Sequence, residues 1–159
     1  MRLTSRARCI GTLASTFVLL AVGCLGVSTL YADGTTAVGL WQAVDNKTGK
    51  PNSHIRVWEE NGKLFGKIEK LFKEPAQDQN PKCVKCEGDK KDKPILGMTI
   101  LWDMKKKGER WEDGRIMDPD EGKTYGCKLE LAEGGKKLKV RGFMGFSMIG
   151  RTEYWQRVE

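Results

Sequence analysis

The chain has 159 residues, with 28 lysines and arginines against 21 acids and a formal charge of +7. Its length suits one domain with a single core. A basic balance can signal nucleic acid, but here lysines alternate with acids, as across 87–93, which is the pattern of a solvated surface.

The first 32 residues differ in kind from the rest. Arg2, Arg6 and Arg8 precede an uncharged stretch over 10–30, and Ala32 stands as a small residue before Asp33. That order of charge, apolar core and small residue predicts a signal peptide over 1–32, cleaved to leave a domain over 33–159. A retained membrane anchor is the alternative, weakened by the Gly, Ser and Thr content of the segment. A lipoprotein anchored to the envelope through Cys24 is another. The expected location is the periplasm or the exterior, with membrane contact only through this segment. Export argues further against nucleic acid. Removing the three arginines lowers the charge to +4.

The remainder reads as short strands separated by turn residues. The first is expected over 38–44, closed by turn formers over 45–51, and the second over 53–59. Asn61-Gly62 then predicts a type I′ hairpin turn, because both residues tolerate positive φ. The returning strand is expected over 63–72.

The segment 73–94 breaks the pattern. It is charged, rich in Pro and Gly, and almost without apolar residues. Loops of this length in compact domains are usually functional or disordered. It holds Cys83 and Cys86.

A fourth strand is expected over 95–104. Leu96, Met98, Ile100, Trp102 and Met104 alternate, although Leu96, Ile100 and Met104 would also share a helix face. Strands follow over 110–117, interrupted at Asp113-Gly114, then over 124–131, 138–146 and 151–158. Eight strands with only local connections and no strand–helix–strand rhythm exclude a parallel sheet. The fold expected is mostly β, a small eight-stranded antiparallel up-and-down barrel, since closure removes the exposed edges of a meander.

Cysteine chemistry offers three readings. In an oxidising compartment the default is a disulfide, and three cysteines leave one over. Cys83–Cys86 is the pairing favoured, with Cys127 a free buried thiol because it shares a strand face with Leu129 and Leu131. Pairing of either loop cysteine with Cys127 is the alternative. Zinc held by Cys83, Cys86, Cys127 and His54 would have the right ligand types, but lacks a second closely spaced pair. A redox role would require the first thiolate at a helix N-terminus, and no such context is present.

No enzyme signature survives inspection. Gly-x-Ser-x-Gly is absent. Gly122-Lys123-Thr124 is similar to the end of a phosphate-binding loop but lacks the glycine five positions earlier. Asp118 and Asp120 are spaced as in a calcium loop without its remaining ligands. No cofactor is expected.

Several stretches together resemble one family. They are Gly39-Leu40-Trp41, the Cys83-x-x-Cys86 loop, Pro94-Ile95-Leu96-Gly97, Asp113 to Pro119 with Gly122-Lys123-Thr124-Tyr125, Leu138 to Gly142 with Gly145, and Gly150-Arg151 with Trp155-Gln156-Arg157. The whole resembles the exported bacterial proteins grouped as domain of unknown function 2147. The resemblance implies a lipocalin-like barrel and carries no established activity.

Two functions follow as expectations. The first is a module binding a small hydrophobic or amphipathic ligand, such as a fatty acid. Arg56, Trp58, Tyr125, Arg141 and Arg151 are the expected contacts. The second is a non-catalytic envelope protein that meets a protein partner through the loop 73–94. A cavity above roughly 300 Å³ would favour the first, and a filled barrel the second. Trp41 and Arg157 are assigned a structural role. If the barrel closes by pairing the first and last strands, Arg157 is expected to stack on Trp41 and plug one end.

Overall fold

The computed structural model describes residues 35–45, 48–145 and 149–159. The expected signal segment, with Cys9, Cys24 and the cleavage point before Asp33, lies outside them, as do Asn46, Lys47 and Phe146. Eight strands account for most of the described chain: β1 Gly39–Val44, β2 Pro51–Glu60, β3 Lys63–Leu71, β4 Thr99–Lys107, β5 Arg110–Asp118, β6 Lys123–Ala132, β7 Lys137–Phe143 and β8 Gly150–Arg157. Each pairs antiparallel with the next, and β8 returns to β1 through Trp41 opposite Arg157 and Gln42 opposite Gln156, closing the barrel. Among the described residues no helix is long and apolar enough to cross a membrane.

The turns follow local chemistry. Asn61 and Gly62 both take positive φ, 51° and 73°, as a type I′ turn requires. Asp113 does not end β5. It sits at φ 61° in a bulge: Trp111 and Gly114 pair with Leu129 and Cys127, so that Glu112 and Asp113 together stand against Lys128. Its carboxylate is held 2.8 Å from the Lys107 Nζ across the hairpin.

β4 differs from its expectation. It begins at Thr99 and runs to Lys107, while residues 95–98 form a turn in which the Met98 amide donates to the Ile95 carbonyl. Gly97 takes a φ of 83° there, which ends any extended run from Ile95. A bulge at Asp103, φ 59°, then breaks the alternation. Leu101 and Met104 are fully buried, Leu96 is exposed, and Trp102 lies on the outside beneath the Lys90 ammonium.

The core is unevenly distributed. Trp41, Val57, Leu64, Leu101, Met104, Leu129 and Leu138 are all fully buried. They fill the half of the barrel toward the β2–β3, β4–β5 and β6–β7 turns. The other half holds a cavity, which sets the position of the site.

Candidate functional site: a cavity open at one end of the barrel

The filled end is also sealed. Trp41 is fully buried, and its indole Nε1 donates to the Ala37 carbonyl at 2.8 Å. Arg157 lies over the indole, its guanidinium carbon 4.2 Å from the ring centroid. The same guanidinium donates to the carbonyls of Thr36, Val38, Gly135 and Glu159. One side chain thus ties the chain's entry to β1, the β6–β7 turn and the end of the chain. Gly39, at φ 144°, leaves the room this needs, because a Cβ there would meet the Arg157 Nη1 and the Glu159 carbonyl.

Toward the other end lies a cavity of about 470 Å³. Its inner wall is apolar: Ala43 from β1, Ile55 from β2, Ile68 from β3, Ile100 from β4, Val140 from β7 and Trp155 from β8. Alternation along β2, β3, β7 and β8 puts their residues inside and the neighbours of these out. Gly142 adds space, since a Cβ there would reach only ordinary contact with Ile116 and Tyr125.

The mouth is polar on one side and apolar on another. The β5–β6 turn contributes Asp118, Pro119, Asp120 and Glu121, and the β7–β8 loop contributes Met144 and Ile149, both exposed. The Tyr125 hydroxyl donates to Glu121 at 2.7 Å. That bond pushes the phenol up to about 12, with burial and the nearby carboxylates adding to it, and holds the Glu121 carboxyl below its usual value. Arg151 donates from Nε to Glu153 at 2.9 Å, and from Nη2 to the same oxygen. Its guanidinium is raised above the ordinary arginine value chiefly by that bond. Asp118 accepts from the amides of Asp120 and Glu121, which fixes the turn.

The long loop between β3 and β4 builds part of this mouth. It is pinned to itself by the Lys82–Pro94 bridge and by the Cys83 amide donating to Lys93. It is pinned to the barrel by mutual backbone bonds, Gly97 to Ile68 and Ile68 to Met98. Cys83 and Cys86 form a disulfide that is buried, not displayed. The Cys83 sulfur lies 3.1 Å from the Pro119 carbonyl oxygen, and that of Cys86 lies 3.7 Å from the Met117 sulfur. Gly122, at φ 70°, passes directly beneath the Lys85 carbonyl, where a Cβ would collide. The cysteine loop and the β5–β6 turn are therefore one packed unit. Lys73 and Ile95, at its two ends, line the cavity.

Of the five ligand contacts expected from sequence, Tyr125 and Arg151 line the cavity. Contrary to expectation, Arg56, Trp58 and Arg141 do not. Arg56 is on the outer face, bonded to Glu69 and Glu159, and these two carboxylates raise its guanidinium above the ordinary value. Trp58 stacks on Phe65 outside, with centroids 5.8 Å apart. Arg141 donates to Thr152 outside the wall. The reason is strand parity: Ser53, Ile55 and Val57 are buried, so His54, Arg56 and Trp58 must face out. The same reading applied to Leu138 and Val140 would have placed Arg141 outside. It would also have found Glu153, which sits two residues from both Arg151 and the buried Trp155.

The alternative zinc set is not assembled. Cys83 and Cys86 are bonded to each other, His54 packs edge-on against Phe72, and Cys127 is a free thiol in the core. Among the described residues no group of three His, Cys, Asp or Glu could hold a metal ion. Burial raises the Cys127 thiol well above its ordinary value, so it stays protonated.

Residues 39–157 match the model of a family described as "Uncharacterized protein conserved in bacteria (DUF2147)". The chain belongs to this family. For this DUF2147 protein no curated protein matches. A solved structure does: "Protein HP1028 from the human pathogen Helicobacter pylori belongs to the lipocalin family". The likeness has a TM-score of 0.67 at 19% identity, over 79% of this chain and 84% of the other. At that identity it shows the fold alone, a lipocalin-like barrel. Eight strands give a barrel just wide enough either to be filled by side chains or to hold one small ligand. In this DUF2147 barrel side chains fill one half, and the cavity occupies the other.

Proposed function

We propose that this protein is an exported, non-catalytic carrier that holds one small apolar or amphipathic molecule inside its barrel. The observation that carries the reading is the cavity of about 470 Å³, apolar within, polar at its mouth and sealed at the far end by Trp41 and Arg157. That volume lies within the range of small-molecule sites, roughly 300–1,000 Å³. An apolar guest would gain about 0.8 kcal/mol for each methylene it buries. Export is supported by the charge, apolar and small-residue order of 1–32 and by a disulfide in the domain. Sequencing the N-terminus of the protein recovered from outside the cytoplasm should return Asp33.

The binding test uses N-phenyl-1-naphthylamine, a neutral apolar dye, titrated against the folded protein with fluorescence as readout. Saturable binding of one dye per chain is expected. Gly142→Leu places a side chain in the cavity without backbone strain, since Gly142 is not at positive φ and has ordinary contacts around its missing Cβ. The variant should bind the dye at least about tenfold more weakly, a difference of about 1.4 kcal/mol. Absence of saturable binding by the unaltered protein would overturn the reading.

A further inference from the structure

The sign of the charge at the mouth is opposite to that of the chain. The protein carries more bases than acids. The residues lining the cavity include Asp45, Asp118, Asp120, Glu121 and Glu153, against Lys73 and Arg151. Of these two cations, Arg151 has its guanidinium engaged with Glu153. Lys123 and Lys85 act on Glu121 from outside the wall and soften the imbalance without reversing it. An anionic head entering this mouth would meet carboxylates first and would have to break the Arg151–Glu153 pair to find a guanidinium. A cationic head meets carboxylates, and the Glu121 carboxyl is held below its usual value chiefly by the Tyr125 hydroxyl. The ring of Tyr125, also in the lining, suits a quaternary or primary ammonium. Behind it the wall is chiefly apolar, from Ile68 and Ile100 down to Trp155, whose indole Nε1 lies 3.5 Å from the Glu153 carboxylate.

We infer that the cavity is selective for amphiphiles with an ammonium head and an apolar tail, and that it disfavours fatty acids. This rests on the cavity being the ligand site. The tail occupies the space between the isoleucines and Trp155, and the head stays at the level of Asp120 and Glu121.

The experiment compares dodecyltrimethylammonium with dodecanoate, two twelve-carbon chains of opposite head charge, by titration calorimetry below their micelle-forming concentrations. The ammonium is expected to bind at least about tenfold more tightly, a difference of about 1.4 kcal/mol. The double variant Asp120→Asn with Glu121→Gln should reduce that preference to about threefold or less, since two charges near the head are removed. Gly142→Leu should weaken both ligands. Dodecanoate binding as tightly as the ammonium would overturn the inference. So would ammonium binding that neither set of substitutions alters, which would be adsorption to the surface. If neither amphiphile binds but N-phenyl-1-naphthylamine does, the carrier reading stands and the head preference fails. If none of the three binds, both fail.

Discussion

The two ends of the barrel solve the same problem in opposite ways. At each end the strands stop and leave backbone carbonyls without partners in the sheet. At the closed end a single guanidinium collects four of them and lies flat on a buried indole. Large side chains then fill the space below, so no room remains for a guest. At the open end the polar groups pair side chain to side chain, Tyr125 with Glu121 and Arg151 with Glu153, around a rim rather than across it. The centre stays empty. One cation placed over the axis closes a barrel, whereas ion pairs within the wall leave it open.

The largest expected effect lies at the closed end. Arg157→Ala removes a cation–π contact and its bonds to four carbonyls, at a cost of about 2–4 kcal/mol. Urea denaturation should show it as a lower midpoint with an unchanged slope. Affinity for the naphthylamine dye should change by less than about twofold, because Arg157 does not line the cavity. A large loss of affinity with stability intact would erase the division of labour between the two ends.

Replacing both Cys83 and Cys86 by serine tests the open end. The bridge closes a loop with a sequence separation of 3. So short a loop gives about 2 kcal/mol in the chain-entropy account. Because the loop packs on the β5–β6 turn, the variant should also weaken dye binding, measured in the same titration. The Arg157→Ala variant should not share that second effect.

A smaller effect concerns Tyr125. Its phenol is raised from 10.0 to about 12, chiefly by Glu121. A raised pKa in the folded state means the bond contributes fully below pH 10 and is lost as pH rises toward 12. In Glu121→Gln the Tyr125 absorbance at 295 nm should titrate closer to pH 10, with little change in stability, since this pair is near solvent. The smallest expected effect is none at all: Cys127, buried and held protonated, should resist iodoacetamide in the folded protein and react only on unfolding.

Much of the fold was legible from period-two alternation and turn residues. Cys127, Leu129 and Leu131 declared the inner face of β6, and Asn61-Gly62 declared a hairpin. The site is less legible, because charge and aromaticity suggest ligand contacts at positions that strand parity turns outward. Arg56, Trp58 and Arg141 look like ligand contacts by residue type, yet their neighbours Ile55, Val57 and Val140 claim the interior. Trp102 and the segment 95–98 were misleading for another reason. Positive φ at Gly97 and Asp103 resets the phase of the alternation, and nothing in the local pattern announces a bulge.

The sequence by itself determined the number of strands, their order, the hairpin turns and which residues of most strands are apolar on one side, because these depend on neighbours within a few positions. Only the tertiary structure decided that the loop 73–94 folds back as part of the mouth. It also decided that the inner volume is divided into a packed half and an empty one, and that acids from five separate positions converge where a ligand would enter. Those properties arise from contacts between residues far apart in the chain. They depend on how side-chain volumes and charges sum across all eight strands, a sum that no single segment of the sequence contains.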